Sequence, residues 1–285
     1  MTAGQLGFEG MPRRLLPAAP SRLACYLDCP RRYRFTYLDR PPPPKGPPWA
    51  HNSFGAAVHS ALAGWWKAPR ERRTVAHAAE LLDGAWLLDG YRDDSQRRQA
   101  RERAHEMVAR YVAKLDPDDE PVGVERTVAL KTERAALFGR VDRIDDRPGE
   151  GLVIVDYKTG RQVLTIDDAR SSMALAIYAV GAARTLRRRC HRVELHHLPT
   201  GSVLAWEHTE EGLARHVSRA DSVAGDIADL DERYRAGVDA AEADRMYPPT
   251  VGPLCGWCDF NRSCPEGAAA ASPRDPWSGV EDVGA

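Results

Sequence analysis

The amino-acid sequence predicts an α/β domain whose central mixed sheet is flanked by helices. Three observations carry that expectation. Apolar residues recur at helical spacing before about residue 120 and again after 168. The stretch between them switches to the two-residue period of strands. A further alternating pair, HRVELHHL (191–198) and SVLAWEH (202–208), folds back around Pro199-Thr200-Gly201. Helices, then strands, then helix and hairpin is the order of a sheet covered on its faces.

Taken in order, residues 1–20 read as a flexible lead. Ser21 is placed to cap a helix running to about Leu38, with Leu23, Tyr26, Leu27, Tyr33 and Phe35 as its apolar positions. The run PPPPKGPP (41–48) reads as a stiff polyproline connector. A helix starting near Asn52 or Ser53 carries Phe54, Val58, His59 and Leu62, and two more follow over about 73–89 and 95–115. Residues 21–120 thus form a helical region. Strands are expected in VGVERTVAL (122–130), ALFGRVDRID (136–145) and GLVIVDYKTG (151–160), the last two joined by a turn holding Pro148-Gly149. With helices at about 168–188 and 210–237, residues 121–240 make the core. Residues 241–266 carry a cysteine cluster, and the Ala/Gly/Ser/Pro-rich stretch 267–285 reads as a disordered tail.

Of the 285 residues 43% are apolar and 28% charged, so the chain buries enough surface to fold without cross-links. No run approaches the roughly 18–20 apolar residues of a membrane span, and the N-terminus lacks a signal-peptide core. The expected location is the cytoplasm, with no membrane partner. Thiols stay reduced there, so clustered cysteines bind metal more often than they form disulfides. A net charge of −1 argues against broad coating of nucleic acid but leaves room for a local basic groove. Arginine is dense at Arg31, Arg32 and Arg34, and in segments 97–110 and 184–192.

Along 152–158, alternation puts Asp156 and Lys158 on one strand face. A hairpin across the 146–150 turn brings Asp142 towards Asp156. Two carboxylates about 4 Å apart repel by about 4 kcal/mol at an effective dielectric near 20, which a divalent cation offsets; Mg²⁺ is typically held by one or two carboxylates plus phosphate and water. A lysine in reach orients a water or stabilises developing phosphate charge. On its own a D-x-K pair is more often a surface ladder. FGRVDRID followed by VDYKTG is more specific, and it resembles the RecB-type branch of the PD-(D/E)XK nuclease superfamily. The resemblance implies a restriction-endonuclease-like core in which Asp142 and Asp156 ligate Mg²⁺ or Mn²⁺, the Tyr157 carbonyl joins the metal shell and Lys158 is catalytic. The family's G-x-x-x-H element is matched by Gly55-Ala-Ala-Val-His59, which implies that His59 is a further ligand. Its Q-x-x-x-Y element is matched in part: Tyr178 is present, but Ala174 stands at the glutamine position. Glu125 is a weaker acidic candidate.

Cys255-x2-Cys258-x5-Cys264 needs a fourth ligand, for which Cys25, Cys29 and Cys190 are available. Ser21-Arg-Leu-Ala-Cys25-Tyr-Leu-Asp-Cys29-Pro-Arg-Arg-Tyr33-Arg-Phe35 resembles the opening of the iron–sulfur members of this family, among them AddB-type and CRISPR-adaptation nucleases. That resemblance places Cys29 at the ligand position and implies a 4Fe–4S cluster on Cys29, Cys255, Cys258 and Cys264, zinc being the rival. The cluster is expected to staple the chain ends and hold Arg31, Arg32 and Arg34 over DNA. No Walker P-loop occurs, so any helicase motor would be a separate partner. The expected activity is a deoxyribonuclease, an exonuclease on single-stranded DNA ends in repair or recombination. Ala174 keeps open a catalytically weak DNA-binding or assembly subunit of the same fold.

Overall fold

The computed structural model describes residues 15–280. The chain opens with a short strand, β1 (Leu16–Ala18), inside the stretch expected to be a loose lead; residues 1–14 lie outside the described residues. Next come α1 (Pro20–Asp28) and α2 (Pro30–Tyr37), where the sequence suggested one continuous helix. The break falls at Cys29, which is extended at φ −162°, because a proline disfavours helical backbone in the residue before it. The freed sulfur caps α2, accepting the Arg32 N–H at 3.5 Å. The proline run that follows forms neither helix nor strand.

The helical region consists of α3 (Ala50–Lys67), α4 (Val75–Ala85) and α5 (Asp94–Val112). Thr74 and Asp93 cap the latter two by accepting the His77 and Gln96 N–H groups. Three antiparallel strands follow, β2 (Gly123–Lys131), β3 (Ala135–Arg147) and β4 (Gly151–Lys158). The expected helix at 168–188 is two, α6 (Ile166–Ser171) and α7 (Met173–Leu186), with Ser172 at the break capping α7. The hairpin β5 (Cys190–His197) and β6 (Ser202–Glu207), the long α8 (Glu210–Arg235), α9 (Ala240–Met246) and α10 (Pro265–Ala270) complete the order.

The sheet runs β1-β3-β4-β5-β6, with β2 on the side of β3. β4 and β5 are parallel, crossing over through α6 and α7, and the two hairpins are antiparallel, so the sheet is mixed as expected. Strand β4 lies at its centre. Leu152 and Ile154 pack under α7, while Val153, Val155 and Tyr157 pack under α3 and α5. This burial on both faces explains why the strand reads as a continuous apolar run before its polar end.

Residues 271–280, expected to be disordered, are packed. The Arg274 N–H donates to Gly256 O at 2.9 Å, the Ala50 N–H to Pro276 O at 3.0 Å, and Arg103 to Val280 O at 2.6 Å. Trp277 and Val280 join the apolar cluster of α3 and α5, two anchors that the small-residue composition concealed. Residues 281–285 lie outside the described residues.

A second tie between the ends centres on Asp231 of α8, which is fully buried. Its carboxylate accepts from Tyr33 at 2.9 Å, Tyr247 at 3.2 Å and Arg22 at 3.1 Å. Asp231→Ala strips a common acceptor from four groups, Arg235 at 3.2 Å being the fourth, and is expected to cost about 3–5 kcal/mol, seen as a fall in Tm of roughly 10 °C by calorimetry.

Candidate active site

The strand registers build the site. Val124 pairs with Arg143 and Arg126 with Val141, so Glu125 stands opposite Asp142. Arg143 pairs with Val155, so one step beyond the last rung Asp142 stands opposite Asp156. One carboxylate from each of three neighbouring strands therefore falls in a single row. The ladder is interrupted here: Glu125 is left-handed at φ 52°, a conformation costing about 1–3 kcal/mol in a non-glycine residue and concentrated at functional sites.

Each carboxylate has a cationic or protonatable partner. Asp142 Oδ1 lies 3.2 Å from His59 Nδ1, and its Oδ2 accepts the Tyr157 N–H at 2.8 Å. Glu125 pairs with Arg140 at 2.6 Å. Asp156 Oδ2 lies 2.6 Å from Lys158 Nζ, an ion pair without hydrogen-bond alignment that leaves this buried oxygen otherwise unpartnered. Burial raises the pKa of Asp156; Lys158 opposes the rise and the charge of Asp142 adds to it. For His59 burial disfavours the charged ring, but the hydrogen bond to Asp142 and the charges of Asp142, Asp156 and Glu125 outweigh it, and its pKa is raised.

Donor atoms of His59, Glu125 and Asp142 all lie within 4.8 Å of one another, a mixed nitrogen and oxygen set suited to a divalent cation. Glu125 is thus drawn into the set that sequence reasoning weighted towards Asp142 and Asp156. Its signal was faint, an acidic residue in an otherwise alternating strand. Asp156 is held by Lys158 and stays outside this closest group.

Two glycines fix the approach of helices to the row. A Cβ at Gly139 would lie 2.3 Å from Cε1 of Tyr178, so the G-x-x-D spacing seats the Tyr178 ring against β3. A Cβ at Gly55 would lie 3.2 Å from Thr159 Oγ1, which lets α3 close on the end of β4. Tyr178 reaches the site although Ala174 precedes it by a turn. Burial, then the charges of Asp156 and Asp142, push its pKa up to about 12, so it faces the site as a neutral hydroxyl. His59, Glu125, Asp142 and Tyr178 line an open cleft of about 1170 Å³ whose walls carry Lys67, Arg103, Arg110 and Arg161. Of the arginine-dense segments, 97–110 supplies the cleft.

The segment holding Arg31, Arg32 and Arg34, expected to contact DNA, is not part of that cleft lining. Arg31 is buried, donating to Tyr247 O at 3.2 Å and pairing with Asp244 at 3.4 Å and Glu266 at 3.5 Å. Arg34 is buried on Asp244 at 2.9 Å and Asp39 at 3.3 Å, and Arg32 pairs with Asp28 at 2.9 Å. Arg31 and Arg34 fasten α2 to the C-terminal segment through acids about 210 positions away, partners that local sequence cannot display. Beside them Cys29, Cys255, Cys258 and Cys264 converge on one small pocket closed by Phe35 and Phe260. No disulfide joins any of the six cysteines, and Cys25 and Cys190 lie elsewhere, in apolar cores.

Carboxylates in a row, with a lysine two positions along, are the apparatus of metal-dependent phosphodiester cleavage. Comparison with known families agrees: a model of the PD-(D/E)XK nuclease superfamily matches residues 17–265. The chain belongs to that superfamily. No curated protein matches it.

The raised pKa of His59 has a direct consequence. Its ring keeps a proton to higher pH than a free imidazole, and a cation coordinated through it would displace that proton. Apparent Mn²⁺ affinity, read from the electron paramagnetic resonance signal of the free ion, is expected to weaken as pH falls from about 8 to about 6. His59→Asn is expected to bind more weakly and to flatten that dependence.

Proposed function

We propose that this chain is a Mg²⁺- or Mn²⁺-dependent deoxyribonuclease that trims single-stranded DNA ends as an exonuclease in repair or recombination, alongside a separate helicase. The observation that carries the reading is the row of Glu125, Asp142 and Asp156 across three strands, with Lys158 at 2.6 Å from Asp156. His59, Glu125 and Asp142 would hold the cation, with Asp156 and the Tyr157 carbonyl completing the set when Lys158 turns to the substrate. A cation bound there polarises the phosphoryl oxygen and acidifies the attacking water. Lys158 stabilises the charge that develops on the phosphate, and Tyr178 donates a hydrogen bond into the cleft. Arg103 and Arg110 draw the backbone in. Tyr178 reaching the cleft without a glutamine at 174 favours an active enzyme over an assembly subunit.

In an assay with end-labelled single- and double-stranded DNA and Mn²⁺, wild type is expected to release short products from single strands. Asp156→Ala and Lys158→Ala are each expected to lower kcat by about 10²-fold or more. Equal cleavage by all three proteins would point to a contaminating activity.

For the cysteine pocket we favour a structural 4Fe–4S cluster on Cys29, Cys255, Cys258 and Cys264. Thiolates around one zinc stand about 3.8 Å apart, given Zn–S bonds near 2.3 Å. Here four cysteines share one pocket closed by Phe35 and Phe260, and a Cys₄ set also holds a 4Fe–4S cluster. N–H groups of Arg32 and Thr250 point at the Cys29 sulfur, at 3.5 and 3.4 Å, as second-row support for a thiolate. Protein purified without oxygen is expected to be brown, with about four irons per chain, and Cys258→Ala to be colourless with a lower Tm. Colourless wild type carrying one zinc would refute the cluster.

A further inference from the structure

Beyond the catalytic row, β2 and β3 continue together, joined at their far end by β1, with one covered face and one open face. Val128, Leu130, Leu137 and Val141 are buried beneath α7 and α8. The opposite face presents Thr127 beside Arg140, Ala129 beside Phe138, and Lys131 beside Ala136. Phe138 is 42% exposed in the middle of this face. Its cross-strand neighbour Ala129 is small, and Arg140 and Lys131 flank the ring along and across the strands. Among the six side chains of this face, Phe138 is the one large apolar group.

We propose that this face is a platform for single-stranded nucleic acid, on which Phe138 stacks a base while Arg140 and Lys131 meet phosphates on either side. The proposal rests on the nuclease reading and gives that site its substrate-binding surface. Three observations favour this occupant. The platform is continuous with the cleft, since Gly139 and Arg140 line it. Phe138, Arg140 and Asp142 follow at alternate positions of β3, so the ring stands about 13 Å from the metal-site aspartate at about 3.3 Å per residue, a few nucleotides along an extended strand. The two ionisable side chains among the six on this face are both cations, and Arg140 stays 71% exposed even while paired with Glu125. Base stacking on an aromatic ring needs an unpaired base, because a duplex keeps its base faces covered.

The test is fluorescence anisotropy of a labelled 20-nucleotide strand, and of its duplex, with the full chain in chelator so that nothing is cut. Phe138→Ala is expected to weaken single-strand binding by roughly 5- to 100-fold, the worth of one stacked base, with duplex binding and Tm unchanged. Phe138→Trp is expected to restore the affinity and to show quenched tryptophan emission on the bound strand. Lys131→Ala is expected to lower the slope of log affinity against log salt by about one. Single-strand affinity of Phe138→Ala equal to wild type would overturn the platform. So would equal losses for strand and duplex, or a wild-type dimer that Phe138→Ala converts to monomer, which would assign the face to a second copy of the chain. Binding is read without cleavage, so failure of the nuclease assay and failure of the platform are separate results.

Discussion

Three carboxylates aligned across hydrogen-bonded strands repel one another, and much of this molecule is arranged around that repulsion. α3 delivers His59 to Asp142, β3 delivers Arg140 to Glu125, and β4 delivers Lys158 to Asp156. Residues directly opposite on neighbouring strands point to the same face, so the row follows from the pairing itself, and the ladder is interrupted where the acids crowd. The left-handed Glu125 and the Asp142 carboxylate, which takes the Tyr157 N–H that a ladder partner would otherwise use, are the two local departures that make room. The strain is supported by the buried stretch Leu152, Val153, Ile154 and Val155 of β4 and by helices packed on both of its faces.

Much of this was legible in the sequence because it is local. The strand at 151–158, the lysine two residues after Asp156, and the glycines before Asp142 and His59 are short-range patterns with a geometric cause: alternation of side chains and close approach of Tyr178 and Thr159. What stayed hidden depends on distant partners. The ion pairs of Arg31 and Arg34 are with Asp244 and Glu266, which come from the other end of the chain. The helix across 21–38 looked continuous because its apolar spacing ignores what Pro30 does to Cys29. Residues 271–280 looked structureless because two anchors, Trp277 and Val280, are diluted among small residues.

Those hidden contacts share a purpose. Asp231 gathers Arg22, Tyr33 and Tyr247, the arginines of α2 gather Asp244 and Glu266, and Cys29 faces three cysteines from the C-terminal segment. All three tie the first helices to the last quarter of the chain. A contact closing a loop of some 200 residues offsets about 5 kcal/mol of chain entropy by the logarithmic rule. Sharing that role among a carboxylate hub, ion pairs and thiols means that loss of any one leaves the others to hold the ends.

The packed segment 274–280 has a practical side for anyone handling the protein. It runs from the cysteine module to the cleft, where Gly279 and Val280 form part of the wall and Arg103 grips the last described carbonyl. Anything fused shortly after Val280 therefore sets out from the mouth of the cleft. A polyhistidine purification tag in that position carries a row of imidazoles to the doorstep of a site built to take a divalent cation.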